Sequence, residues 1–284
     1  MIAITGATGQ LGRLVINELL KKVPASEVIA AVRSPEKAAD LKALGVTLRT
    51  ADYSKPETLL SAFSGVDKVL LISSSEIGQR EAQHKAVIDA AKAAGVKFIA
   101  YTSLLHADTS PLGLGVEHRA TEALLKASGV PFALLRNGWY TENYAASIAP
   151  ALVHHAFIGS VGEGRIASAS REDYAAAAAE VISRDDQAGK VYELAGDDSY
   201  TLAEFSAEIA KQSGEQVDYI NLPPAEFEAA LKGAGLPEGL AKLLADSDAG
   251  AAKGGLFDDS RTLSKLIGRP TTPFADVIKA TLAK

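Results

Sequence analysis

Thr5-Gly6-Ala7-Thr8-Gly9-Gln10-Leu11-Gly12 decides the fold. It stands between an apolar run, Ile2–Thr5, that reads as a strand and an amphipathic run, Leu11–Lys22, that reads as a helix. The glycines are spaced GxxGxxG. Gly6 permits a tight turn out of the strand, and Gly9 lets backbone approach a phosphate with no Cβ in the way. Gly12 lets helix and strand pack closely. Free N–H groups and the positive dipole end at the helix start suit a pyrophosphate. A strand before and a helix after are the context that separates this motif from an ordinary glycine turn. Gly6, Ala7, Thr8, Gly9, Gln10 and Leu11 are therefore the expected phosphate contacts of a dinucleotide.

Outward from this loop the same alternation continues. Strands are predicted at Val28–Val32, Val46–Thr50, Lys68–Ile72, Lys97–Thr102 and Phe132–Arg136. Helices are predicted at Pro35–Leu44, Pro56–Phe63, Glu81–Ala94 and Val116–Ser128. Gly45, Gly95 and Gly129 follow three of these helices, where a C-cap glycine belongs. Apolar runs without polar alternation suit strands covered on both faces. The fold class is therefore α/β: a doubly wound Rossmann parallel sheet, with a ligand crevice at the strand C-termini.

After Asn137 the pattern changes. Residues 159–164 are glycine-rich. Helices are predicted at Arg171–Ser183, Leu202–Ser213, Pro224–Leu231, Glu238–Leu244 and Phe274–Leu282, strands at Val191–Leu194 and Gln216–Leu222, and a loop at Asp246–Gly255. Residues 1–137 are expected to form a dinucleotide-binding Rossmann domain, completed by a last sheet strand near 191–194. Residues 138–284 are expected to be mainly a smaller α+β substrate-binding lobe.

Composition excludes other classes. The 284 residues include no cysteine, so there is no disulfide framework, thiolate nucleophile or cysteine zinc site. His154 and His155 are adjacent, and neighbours on a helix do not face one way, so no metal site is expected. A formal net charge of −6 leaves no footprint for nucleic acid. No apolar run of about 18 residues is present, and the N-terminus has no signal-peptide pattern, so no membrane partner and a cytoplasmic location are expected. A homo-oligomer is left open.

The second strand identifies the dinucleotide. An NAD site places Asp or Glu at its end, on the ribose 2′-hydroxyl. Here the strand ends Ala31-Val32-Arg33-Ser34. Arg33 can grip a 2′-phosphate with its guanidinium fork, which points to NADP(H); otherwise it is a solvated surface charge. Asp52 after the third strand can either accept from an adenine amine or cap a turn.

Taken together, several motifs resemble the NmrA-like group of atypical short-chain dehydrogenases, and within it the bacterial quinone-reducing members. They are the GATGxxG opening, Ala51-Asp52-Tyr53, Ser73-Ser74-Ser75, Tyr101-Thr102-Ser103, Arg136 to Asn143, and Gly254 to Asp259. The resemblance spans essentially the whole chain. It implies NADPH-dependent reduction of a small-molecule quinone. It also implies cofactor contacts from Gly6–Leu11, Arg33, Ser73, Ser74, Ser75, Gly138, Trp139, Tyr140, Thr141, Glu142 and Asn143. The Ser73 and Gly138 segments both follow strand C-termini, where such a sheet holds its ligand.

Short-chain dehydrogenases use a Tyr-x-x-x-Lys pair after strand five. Here His118 stands at the tyrosine position and Glu122 at the lysine position. No catalytic residue is identified. That departure suits a quinone, a strong hydride acceptor whose reduced form water can protonate, better than a ketone. His118, between Glu117 and Arg119, reads as a solvated helix residue; its alternative is a hydrogen bond to a quinone oxygen. His84 and His106 have no supporting constellation. Tyr140, Trp139 and Tyr144 are candidates to line a flat apolar pocket, whereas Phe157 reads as core. The alternative function is a non-catalytic NADP(H)-binding redox sensor, which would bind the dinucleotide without turnover.

Overall fold

Apolar runs of the first half become strands because both of their faces are covered. A computed structural model describes residues Met1–Ala283; Lys284, the end of the expected second lobe, lies outside them. In chain order the elements are β1 (Ile2–Ile4), α1 (Gln10–Leu19), β2 (Val28–Val32), α2 (Ala39–Ala43), β3 (Thr47–Thr50), α3 (Pro56–Ala62), β4 (Lys68–Leu71), α4 (Arg80–Ala93), β5 (Phe98–Leu104), α5 (Gly115–Ser128) and β6 (Phe132–Asn137). There follow α6 (Thr141–Ala145), α7 (Ile148–His154), β7 (Ala156–Gly159), α8 (Arg171–Ser183), β8 (Val191–Leu194), α9 (Leu202–Ser213), β9 (Asp218–Asn221), α10 (Pro224–Gly233), α11 (Glu238–Ala251), α12 (Thr262–Ile267) and α13 (Phe274–Leu282).

Seven strands form one sheet in the order β3-β2-β1-β4-β5-β6-β8. The pairs from β3 through β6 are parallel, with Ile4 opposite both Ala30 and Leu70. The doubly wound expectation holds. Ala3, Ile29, Val69, Leu71, Ile99 and Tyr101 face one way and meet Leu59, Phe63, Val87, Ile88 and Leu125 of α3, α4 and α5 or their ends. The alternate residues Ile4, Ala30, Leu70 and Ala100 are equally buried, as the two-residue period of a strand requires. Helix α8 packs on α1 and on β4 and β5. Its row of buried alanines, Ala175, Ala177, Ala178 and Ala179, permits that close approach.

The chain divides into two compact units. One comprises Met1–Leu104, Glu117–Asn137 and Arg171–Tyr192; the other comprises Leu105–Val116, Gly138–Ser170 and the described chain from Glu193 onward. The second unit has its own small sheet, β7 parallel to β9. It also has an aromatic core in which Phe205 meets Phe157, Tyr200 and Phe274. Thr201 and Glu204 form a reciprocal capping box at the start of α9.

Three differences from the expected elements have physical causes. The expected loop at Asp246–Gly255 is largely helix, because α11 runs on to Ala251. Its small polar residues are tertiary partners: Asp246 accepts from the Gly113 N–H at 2.7 Å, and a Cβ on Gly250 would stand 2.6 Å from Leu112. The expected helix at Pro35–Leu44 opens as a 3-10 turn before α2. The elements α6, α7, β7 and α12 are too short to show a period.

Gly12 fixes where α1 starts. A Cβ there would lie 2.4 Å from the Gly6 carbonyl oxygen and 2.8 Å from the Ala7 Cα, both backbone atoms. The substitution Gly12→Ala should therefore destabilise the chain by about 1–3 kcal/mol, the usual cost of overpacking. Thermal unfolding checks this; an unchanged Tm would show that helix and strand can separate freely.

Candidate functional site

The strand ends of the first unit build the site from β1 outward. Thr5, buried at the end of β1, donates its hydroxyl to the Leu70 carbonyl and accepts from the Ile72 N–H at 3.1 Å. It ties the exit of β1 to the exit of β4. Gly6 then turns the chain at φ +59°, a conformation glycine adopts without strain. Gly9 donates to the Gly6 carbonyl and N-caps α1 without any side-chain cap, and the first helical turn carries no acidic residue. An uncapped, acid-free helix start of ten residues is suited to an anion. Leu11 and Ala7 are buried under the loop, while Gly6, Gly9 and Gln10 are exposed.

Arg13 braces the loop. Its Nε donates to the Thr8 carbonyl at 3.2 Å and its Nη2 to the Lys37 carbonyl, while Nη1 pairs with Asp40. The turn after β1 is thereby linked to the segment after β2. Arg33 follows β2 with its side chain 70% exposed, and Nη1 stands 3.2 Å from Glu76 Oε1. Asp52 caps a turn: its Oδ1 accepts from the Ser54 N–H at 3.0 Å. Of the two uses open to it, the structure shows this one.

The segment after β4 has its backbone amides turned inward. Ser73 donates to Thr102 Oγ1 at 2.8 Å, Ser74 to His84 Nε2 at 2.9 Å, and Glu76 to Ser74 Oγ at 3.1 Å. The Ser74 carbonyl accepts from Arg80 Nε. Ser73 and Ser74 are half-buried and Ser75 is exposed.

His118 is not solvated. It is 5% exposed, and its Nδ1 shares a 2.7 Å hydrogen bond with the Tyr101 hydroxyl. The charged flanks misled, because successive helix residues point about 100° apart. Burial, then the nearby Arg80 and His84, lower its pKa to about 3, so it is neutral. Glu122 is equally committed. It accepts from Arg136 Nε and Nη2 at 3.0 and 2.7 Å and from the Ser103 hydroxyl at 2.5 Å. His84, expected to be unsupported, is likewise buried and hydrogen-bonded at both ring nitrogens. His106 also has partners, standing 3.6 Å from Glu193 and 3.5 Å from Asp258.

One polar group at the end of β6 is missing from the expected set. Asn137 is 6% exposed, and its Oδ1 is buried without a hydrogen-bond partner among the described residues. Its place immediately before Gly138, at a strand C-terminus, was a usable signal.

In the second unit, residues 138–143 form a braced turn into α6. Gly138 donates to the Leu194 carbonyl, and Trp139 and Thr141 bond to the two sides of Ala169 through their backbones. The Thr141 hydroxyl bonds Ser168, which also bonds the Tyr200 hydroxyl. Tyr140, Glu142 and Asn143 are half-buried and Trp139 is buried. Tyr144 donates to Asp248 at 3.0 Å, and Phe157 is core. Tyr144, a candidate for the aromatic pocket, is buried and engaged by this carboxylate.

Among the described residues no group of three or more His, Asp or Glu could hold a metal ion, and no helix is long and apolar enough to cross a membrane. A family model described as NAD(P)H-binding matches residues 6–185. Over 278 residues the chain is 65% identical to quinone oxidoreductase 2 of Escherichia coli strain K12, covering 98% of this chain and 97% of that one. It is 28% identical to an NmrA-like family domain-containing oxidoreductase of Aspergillus flavus, covering 99% of this chain and 94% of that one. The crystal structure of the Escherichia coli NADPH-dependent quinone oxidoreductase QOR2 complexed with NADPH superposes with a TM-score of 0.98 at 64% identity, covering 99% of this chain and 100% of that one.

Asp248 makes stability pH-dependent. It is 3% exposed, and burial raises its pKa from 3.8 to about 6 against the lowering effect of the Ser160 N–H and Tyr144 hydroxyl. The folded state therefore holds this proton more tightly than the unfolded state. The stabilisation is full below pH 4 and is lost as pH rises through 6, by about 3 kcal/mol. In Asp248→Asn that component should vanish, so the difference in Tm between variant and wild type should grow in the variant's favour from pH 4 to pH 7. A constant difference across this range would contradict it.

Proposed function

This chain belongs to the NAD(P)H-binding, NmrA-like family, and from that premise we propose that it reduces quinones with NADPH. The observation that carries the reading is a glycine turn suited to phosphate, in the same unit as buried His118, bonded to Tyr101, and half-buried Glu122, paired with Arg136, at the two positions where a proton donor and its lysine would otherwise stand. A ketone reductase needs that donor. A quinone does not, because hydride addition gives a stabilised anion that water protonates to the hydroquinone.

The residues fit the cofactor. The uncapped start of α1 would take the pyrophosphate, with Gly6, Ala7, Thr8, Gly9, Gln10 and Leu11 supplying backbone and a Cβ-free approach. Arg33 would take the 2′-phosphate, exchanging Glu76 for a stronger anion. Ser73, Ser74 and Ser75, and in the second unit Gly138 to Asn143, are assigned to the cofactor as well. Asn137 Oδ1, lacking a partner in the fold, can accept an N–H or O–H from a ligand. When bound, the nicotinamide supplies the hydride. The protein's own work is to hold donor and acceptor in register, which is a matter of proximity and orientation. Residues 138 onward, apart from the strand near 191–194, are proposed to serve mainly the substrate.

Steady-state oxidation of NADPH with a benzoquinone tests the reading. Turnover above the non-enzymatic rate is expected. Binding of NADPH without turnover would instead favour the sensor. Arg33→Asp should weaken NADPH about tenfold or more and NADH far less, since only NADPH carries the phosphate; equal losses in paired binding titrations would remove Arg33 from the 2′-phosphate role.

A further inference from the structure

The segment after β4 is held by three acceptors that belong to three other elements. Thr5 Oγ1, at the end of β1, takes the Ile72 N–H at 3.1 Å. Thr102 Oγ1, in β5, takes the Ser73 N–H at 2.8 Å. His84 Nε2, in α4, takes the Ser74 N–H at 2.9 Å. The two threonines follow from adjacent strands in the sheet. The histidine reaches the segment from a helix and takes the N–H of the middle serine, whose carbonyl accepts from Arg80 Nε of the same helix.

The protonation of His84 is fixed by its partners. A backbone N–H can only donate, so Nε2 must be bare. The ring proton therefore sits on Nδ1, which donates to Thr121 Oγ1 at 2.9 Å. The Thr121 hydroxyl passes its own proton to the Glu117 carbonyl at 3.0 Å, one turn back in α5. Every donor in this relay has one acceptor. Tyr101 walls the ring edge-on, with centroids 5.5 Å apart. Burial and the nearby Arg80 lower the His84 pKa to about 4, so the ring is neutral throughout the ordinary range.

The position of the segment in the sheet says what this relay serves. Strand β1 carries the pyrophosphate turn and β2 the arginine proposed for the 2′-phosphate. Strand β4 lies on the opposite side of β1 from β2. A dinucleotide extended across the strand ends would place its nicotinamide half over β4. With the amides of Ile72, Ser73 and Ser74 engaged, the Ser74 carbonyl taken by Arg80 Nε and the Ser75 carbonyl by the Ile77 N–H, the segment leaves the Ser73 hydroxyl and carbonyl and the exposed Ser75 hydroxyl for a ligand.

We propose that His84 is a positioning residue for the nicotinamide half of the cofactor: by accepting the Ser74 N–H it fixes the outward face of Ser73–Ser75. This rests on the dinucleotide reading above. His84 touches no ligand and takes no part in proton transfer.

Binding titrations with two ligands, NADPH and 2′,5′-ADP, separate this role from general support of the fold. The second ligand has the 2′-phosphate and pyrophosphate-side groups but no nicotinamide. In His84→Leu the Ser74 N–H loses its acceptor, and NADPH binding should weaken about tenfold while 2′,5′-ADP binding changes less than twofold. In His84→Gln the side-chain carbonyl can replace Nε2, and NADPH affinity should return to within about threefold of wild type even though Tm stays lowered. Thr121→Val, which removes the acceptor that fixes the tautomer, should fall between them and guards against a leucine variant that does not fold. Equal weakening of both ligands, or unchanged NADPH affinity in a folded His84→Leu, would overturn the proposal. Failure of the wild type to bind either ligand would overturn the dinucleotide reading itself.

Discussion

A backbone contact between Gly12 and the Gly6 carbonyl sets the rest of the structure. No side chain can enter there, because even a methyl group would sit 2.4 Å from that oxygen. Helix α1 therefore begins against the end of β1, with its N–H groups free of any side-chain cap. Thr5 holds that strand end to β4, and Arg13 holds the turn to the segment after β2. One tight packing event thus brings the exits of three strands under mutual restraint. The anion-binding turn is a consequence of how helix meets strand, not an addition to it.

The second recurring feature is that polar groups buried near the strand ends are satisfied in closed sets. Glu122 balances Arg136 and Ser103; His84 joins Ser74 to Thr121; His118 joins Tyr101. Such closure is what burial demands, since an unpaired buried polar group costs much more than a paired one gains. It also removes these groups from acid–base chemistry. Asn137 Oδ1, like Gln83 Oε1 and Ser247 Oγ, is a buried acceptor without a hydrogen-bond partner among the described residues.

Much of this was legible in the sequence. Val28–Val32, Arg171–Ser183, Val191–Leu194, Leu202–Ser213 and Phe274–Leu282 have the bounds predicted for them, as an apolar run in Val28–Val32, an alanine-rich run in Arg171–Ser183 and an amphipathic period in Leu202–Ser213 and Phe274–Leu282 mark them off from their neighbours. The glycine turn was legible because its three glycines do three different steric jobs. What was not legible depends on contacts far apart in the chain. Asp246 and Asp248 look like loop residues until Gly113, Ser160 and Tyr144 are found against them. His118 looks solvated because Glu117 and Arg119 flank it, yet its own direction on α5 is toward Tyr101. His84 shows nothing in sequence, because its partner is a backbone amide, and any residue but proline has one.

The central claim is that hydride reaches the acceptor without a proton donated by the protein. Isotope effects on quinone reduction test it most directly. With NADPH deuterated at C4 the rate of the chemical step should fall, and in D2O with ordinary NADPH it should stay the same. A large solvent effect together with a negligible effect of the C4 deuterium would contradict the account, because it would place a proton transfer, and hence an unrecognised acid, in the rate-determining step.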